Sequence, residues 1–253
     1  WYGANLLSQS ALYEVANARY NDPFLKRVLE LTYAQKKRLD PEALLSNQLI
    51  KASEESLLQK SYSFDTSGFC LLRSDTRTVV LKFGGEGIGH GHPDKLSITI
   101  HDGKNELVSD FGTSGYGVPD YLKWYKRTLS HNTVTVDAKD QKRSVGKLLK
   151  FNPRSDGGYA EAETTTAYPG VRMKRSLDLK GTHLQDVYTC TSDSSHLYEY
   201  VILFNEKPLM DGQPTATTLT GSEVHERIHN IFSYPHKSGF TCRTSSASVQ
   251  FDI

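Results

Sequence analysis

The hydrophobic period changes partway along this chain, from the spacing of helices to the alternation of strands, and that change limits the folds open to it. From residue 5 to about residue 56 the apolar positions recur at helical intervals: Leu6, Leu7, Leu12, Val15 and Ala16, then Phe24, Val28, Leu29 and Leu31, then Leu44, Leu45 and Leu49. Three helices are predicted. Asn21 and Asp22 before Pro23, and Asp40 before Pro41, set a capping side chain ahead of a proline in the first turn. After a polar linker at 54–63 the period becomes two. One hairpin is predicted from 69–73 and 78–83 around Ser74 and Asp75, and a second from 95–101 and 106–110 around Asp102 and Gly103. Further strands are predicted at 133–137, 158–164, 171–179, 183–191, 198–204, 215–219, 239–243 and 248–253. Many strands with little helix between them make an antiparallel sandwich and not a βαβ sheet. The expected fold is therefore mainly β: an antiparallel β-sandwich over residues 61–253, preceded by a short α-helical segment over 1–60 that is too small to close a core alone.

At 253 residues and 37% hydrophobic content the chain has material for one large domain or two small ones. No apolar run approaches the roughly 18 residues that span a bilayer, so no membrane insertion is expected. The opening WYGANLL has neither a basic leader nor an apolar stretch, the first residue is not Met, and the last residues continue a strand pattern. A piece truncated at both ends is expected. Thirty Lys and Arg against 29 Asp and Glu argue against a general nucleic-acid surface and leave room for a local basic groove. Cys70, Cys190 and Cys242 are scattered without a C-x-x-C, so neither a disulfide framework nor a thiolate zinc ribbon is indicated.

Chemistry concentrates between residues 84 and 137. The runs GHGHPDKLS, ELVSDFGT and LSHNTVTVD place His90, His92, Asp110 and His131 at the ends of strand-like segments. His90 and His92 are one residue apart and share a face in an extended segment, and antiparallel neighbours can bring Asp110 and His131 to them. Two imidazoles and a carboxylate with an open fourth position suit Zn²⁺. For any one histidine alone, an ordinary loop role is the alternative. The stretch 111–130 is predicted as a long loop carrying Tyr116, Tyr121, Trp124 and Tyr125 beside Lys123, Lys126 and Arg127. An aromatic and basic loop suits an acidic carbohydrate, with Trp124, Lys126 and Arg127 as candidate substrate contacts; burial for packing, or a solvated face, is the alternative. His101 is placed at a turn, His183 and His196 at strand starts, and His225, His229 and His236 in a polar segment without a convincing carboxylate or cysteine nearby. The glycines of 84–89 precede no Lys-Ser or Lys-Thr and no helix, which argues against a phosphate loop. A G-x-S-x-G elbow is also missing from the sequence.

The combined H-x-H-x-D, D-x-G and S-H-N-T signature, carried by GHGHPDKLSITIHDGKNELVSDFGTSGYG and WYKRTLSHNTVTVD, resembles the C-terminal half of the heparinase II/III family of polysaccharide lyases, which includes oligoalginate lyases. It covers roughly residues 69–137, and the helices before it resemble the end of that family's α/α toroid. The resemblance implies a bacterial, periplasmic or secreted lyase in which an incomplete toroid packs on the sandwich and uronic-acid glycans are cleaved by β-elimination. It implies His92, Asp110 and His131 as ligands of a mainly structural Zn²⁺, His90 as the sandwich histidine of the cleft and Tyr116 as a loop tyrosine lining it. The family's toroid tyrosine and its Asn or His have no counterpart here and are expected upstream of Trp1, so this piece alone is expected to have little or no activity. The implied partners are an anionic polysaccharide or oligosaccharide and a missing N-terminal toroid domain; a homodimer is allowed. Two other readings are a non-catalytic carbohydrate-binding sandwich with a structural zinc, and a hydrolase whose zinc activates water.

Overall fold

The structure, a computed structural model, describes residues 9–39, 41–46, 49–53, 60–85, 91–103, 105–220, 222, 224–234, 239–245 and 247–252. Two compact units divide the chain, Trp1–Gln59 and Lys60–Ile253.

In the first unit, α1 (Ser10–Tyr20), α2 (Pro23–Gln35) and α3 (Pro41–Ser46) follow one another. Asp22 caps α2 by accepting the Phe24 amide at 2.7 Å, with Pro23 in the first turn. The corresponding role of Asp40 lies outside the described residues, as do Leu6 and Leu7 and the side chains of Leu44 and Leu45. Leu29, Tyr33 and Ile50 form a small core. The face of α1 is not the one its apolar residues predict. Leu12 and Val15 are exposed, while Ser10, Glu14 and Asn17, equally well spaced for a helix, are buried. The reason is a polar partner from further along the chain: Glu14 accepts Arg38 Nε at 2.6 Å, Arg38 Nη2 at 2.9 Å and the Tyr33 hydroxyl at 2.7 Å. A carboxylate so paired can be buried where an unpaired one cannot. Removing the cap with Asp22→Ala is expected to cost about 1 kcal/mol, read as a lower unfolding midpoint of the helical signal by circular dichroism.

In the second unit the strands are β1 (Tyr62–Phe64), β2 (Phe69–Arg73), β3 (Arg77–Lys82), β4 (Ser97–Asp102), β5 (Asn105–Val108), β6 (Val134–Val136), β7 (Lys147–Arg154), β8 (Gly157–Tyr168), β9 (Val171–Lys180), β10 (His183–Ser192) and β11 (Tyr198–Tyr200). A five-stranded sheet runs β1-β2-β3-β4-β5 and a four-stranded sheet β10-β9-β8-β7, both antiparallel, while β6 pairs with β11. Between the sheets Cys70, Leu72, Val79, Leu81 and Ile98 from the first meet Ala160, Ala162, Met173, Leu177 and Leu179 from the second, with Val134 and Val136 of β6 in the same core. The molecule is mainly β and its second unit is a β-sandwich. Each fully buried Leu of this set contributes about 1.5–3 kcal/mol by leaving water. The alternation of β9 produces the layer: Val171, Met173, Leu177 and Leu179 point inward, whereas Arg172 and Lys174 point outward to Glu163 and Glu161 of β8. Beyond this body lie β12 (Leu209–Met210), β13 (Thr215–Ala216), β14 (Phe232–Ser233), β15 (Gly239–Arg243) and β16 (Ser248–Asp252), in two small antiparallel sheets.

Both predicted hairpins form, as β2–β3 and β4–β5. Three local expectations need correction. Residues 147–154 make a full edge strand, β7, that the alternation hides: a bulge between Leu148 and Lys150 breaks the period, and most of the strand is solvent-facing. Residues 111–130 are not a loop without structure of its own. They hold a π-helical turn at Tyr121–Tyr125 and a 3₁₀ turn at Thr128–Ser130, because Tyr121 and Thr128 bury their side chains. The strands predicted at 198–204 and 215–219 are shorter, at Tyr198–Tyr200 and Thr215–Ala216. Gly84 serves a backbone crossing: Gly68, at φ +74°, presses on it so closely that a Cβ there would lie 2.0 Å from the Gly84 Cα.

Candidate active site

Three segments converge just outside the ordered strands. His92 to Leu96 lead into β4, Ser109 and Asp110 follow β5, and His131 to Thr133 lead into β6. His131 is fully buried, and its Nδ1 lies 2.7 Å from Asp110 Oδ2. Because a carboxylate only accepts, Nδ1 donates and leaves Nε2 to face the site. That Nε2 is buried and has no hydrogen-bond partner among the described residues. The His92 ring stands 5.2 Å from the His131 ring and 6.3 Å from the Tyr121 ring, centroid to centroid. Burial alone would raise the pKa of Asp110, but the bond and charge of His131 and the Gly112 amide at 2.7 Å hold it below the ordinary carboxylate value. Burial, with His131 adding to it, lowers the pKa of His92 and favours its neutral, lone-pair form. His90 lies outside the described residues.

Donors of these kinds suit zinc: two imidazoles, one ionised carboxylate and a buried nitrogen left unsatisfied. A carboxylate on the far ring nitrogen is also the arrangement that orients a metal-binding histidine. Among the described residues, however, no three His, Cys, Asp or Glu side chains are gathered tightly enough to hold an ion as they stand.

Around these side chains the S-H-N-T run acts as a brace. Asn132, fully buried, donates to Ile98 O at 2.9 Å and Ser109 O at 2.8 Å and accepts the Leu203 amide at 2.7 Å. Its neighbour Thr133 donates to Lys95 O at 2.8 Å. Thr128 reaches Pro93 O at 2.9 Å, and Gln141 clasps the backbone of Lys95 from both sides. Sequence reasoning passed over a buried charge cluster beside His92. Lys95, at 0% exposure, donates to Asp94 Oδ1 at 3.1 Å and to His92 O at 3.3 Å, and Lys82 also binds Asp94. The P-D-K that follows the histidines marks the place, but hydrophobic periodicity assigns such charges to the surface. Desolvation pulls the pKa of Asp94 up; Lys82 and Lys95 outweigh it, and the folded value lies below 3.8. A depressed folded value means that the unfolded chain takes up the proton first. The contribution of Asp94 to stability is thus complete above pH 3.8 and lost as pH falls through the folded value. Denaturant midpoints measured from pH 6 down to pH 2 should fall more steeply below that point than those of Asp94→Asn.

The loop residues are placed less uniformly. Tyr116 is exposed, its ring 5.2 Å from that of Tyr121, and partial desolvation, followed by the Tyr121 phenol, raises its pKa. Trp124 packs on Phe111 at 5.7 Å and Lys126 Nζ stands 5.7 Å over the Tyr121 ring. Arg127 is tied to the segment after β6, its Nε bonded to Asp140 at 2.6 Å. Of the other histidines, His101 lies on β4 opposite Glu106 and His196 pairs with Asp137 at 2.8 Å. His225 does have a carboxylate beside it, contrary to expectation. It is buried, with Nε2 3.0 Å from Glu199 and Nδ1 2.9 Å from Thr220 O. The reading of His236 lies outside the described residues.

Residues 57–230 match the family described as Heparinase II/III-like, C-terminal, and the chain belongs to that family. It is 29% identical over 227 residues to an alginate lyase of Stenotrophomonas maltophilia, with 76% of this chain and 30% of that protein covered. To a heparin-sulfate lyase of Bacteroides stercoris it is 27% identical over 179 residues, with 65% and 26% covered. The chain thus spans less than a third of the length of these relatives. In fold it is similar to the heparan sulfate lyase HepC of Pedobacter heparinus, with a TM-score of 0.62 at 16% identity over 83% of this chain and 32% of the other.

Proposed function

We propose that this chain is the sandwich portion of a bacterial polysaccharide lyase that cleaves a uronic-acid-containing anionic glycan by β-elimination, in the periplasm or outside the cell. The observation that carries the reading is the cluster of His92, Asp110 and His131, built from three separate segments, in a domain whose relatives are named alginate and heparin-sulfate lyases. Elimination removes the C5 proton of the uronate and expels the C4 oxygen, so it needs a base, an acid and a group that steadies charge on the carboxylate. His90 is assigned as base or charge-neutralising group. Tyr116, exposed and with its pKa held up, keeps its phenolic proton near neutral pH and is suited to donate it to the leaving oxygen. Trp124 and Lys126 are assigned to sugar contact, and Arg127 to the shape of the loop through Asp140.

Zn²⁺ is assigned to His92, Asp110 and His131, where it would cross-link the three segments and fix the histidine segment. A longer N-terminal helical domain, with α1 to α3 as its end, is assigned the remaining catalytic groups. The test is to incubate the gene-length protein with alginate and with heparan sulfate. An unsaturated uronate absorbing in the near ultraviolet is expected from at least one of them. New reducing ends without that absorbance would make it a hydrolase, and binding without product would make it a carbohydrate-binding module.

A further inference from the structure

Arg175 on β9 is the one inward-facing residue of that strand that is charged, and it is fully buried. Every donor of its guanidinium is used. Nε and Nη2 hold Asp186 of β10 at 2.9 Å and 2.5 Å, and Nη2 also donates to the Tyr200 hydroxyl at 2.8 Å. The rings of Tyr188 and Tyr200 lie 5.3 Å and 5.5 Å from its central carbon. Nη1 then reaches across the sandwich to two backbone carbonyls, Leu96 O at 2.7 Å and Asn132 O at 2.6 Å. Those carbonyls belong to the two segments that carry the histidines: Leu96 closes the stretch that begins at His92, and Asn132 follows His131. Leu96 has φ +62°, a left-handed backbone that leucine rarely adopts, and it is fully buried. Its amide is held by Lys82 O at 2.8 Å and its carbonyl by Arg175, so the strained turn is fixed from both sides.

We infer that Arg175 is a positioning residue for the histidine site, setting the separation of His92 and His131 by tying Leu96 O and Asn132 O to one nitrogen, with Asp186 and Tyr200 fixing the angle of the guanidinium. The role rests on the zinc assignment above only for its metal readout. A lysine cannot replace it, because one ammonium cannot hold a bidentate carboxylate and two carbonyls on the opposite side together.

The test titrates the metal-free full chain with Zn²⁺ against a chromophoric chelator, at a temperature where every variant is folded. Arg175→Lys is expected to weaken zinc binding by about 10–100-fold, the range for groups that orient metal ligands. Leu72→Ala, which opens the same core from β2, should stay within about twofold of the unsubstituted chain, since Leu72 pairs with Val79 and its side chain has no polar atom to hold either segment. Unchanged affinity in Arg175→Lys overturns the inference, and so does an equal loss in Leu72→Ala. If Arg175→Lys does not fold, Asp186→Asn reads the same link: a comparable loss supports it and unchanged affinity overturns it. Imidazole NMR of the metal-free chain separates this from the zinc assignment. Should the unsubstituted chain bind no zinc, displaced His92 and His131 ring signals in Arg175→Lys, unmoved in Leu72→Ala, still support positioning, and undisplaced signals overturn it.

Discussion

Asn132→Ala is expected to destabilise the sandwich by about 3–5 kcal/mol, because it takes the side-chain partner from three backbone groups at once, two of them on buried residues. Ile98 O and Ser109 O lose the donor that Asn132 supplies and the Leu203 amide loses its acceptor. The three partners lie on β4, just after β5 and in the segment after β11, so the loss removes the side chain that ties all three together beside their backbone bonds. Chemical denaturation followed by tryptophan and far-ultraviolet signals would read it. Asn132→Asp is a sharper comparison: the carboxylate still accepts from Leu203 but cannot donate to either carbonyl, and it should be at least as unstable.

His131→Ala and Asp110→Ala are each expected to abolish the zinc-dependent stabilisation that the proposed ligand set predicts. With free zinc at 100 times its dissociation constant, the unsubstituted chain should gain about 2.7 kcal/mol. Both variants should gain nothing. His131→Ala should also unfold at lower temperature without metal, since it empties a fully buried ring-sized space and leaves Asp110 without its partner. Thermal melts with zinc and with a chelator check both statements. Equal zinc-dependent shifts in the variants and the unsubstituted chain would contradict the ligand assignment.

What the sequence discloses, and what it hides, follow from the same physics. The sandwich and its two hairpins are legible because β2 and β3 are short apolar runs, β4 and β9 alternate in sequence apart from Arg175, and Asp102-Gly103 is a turn with a mechanical reason. His92, Asp110 and His131 are legible as a set because each stands where a strand pattern begins or stops. Periodicity fails where a buried position is polar. On α1 the inward stripe is Ser10, Glu14 and Asn17, and its partner Arg38 lies in another part of the chain. Lys95 and Arg175 are buried as charges too: Lys95 beside its sequence neighbour Asp94, and Arg175 with Asp186, which the pairing of β9 and β10 brings near. In β7 a bulge erases the alternation. The S-H-N-T run was visible as a motif, but the division of labour within it was not: one residue faces the site and its neighbours tie strands together.

Diffraction data collected on either side of the zinc absorption edge, from crystals of the chain grown with zinc, test the account most directly. The predicted result is one anomalous peak per chain, bounded by the side chains of His92, Asp110 and His131. A peak elsewhere, or none among these three residues in zinc-saturated crystals, would contradict it.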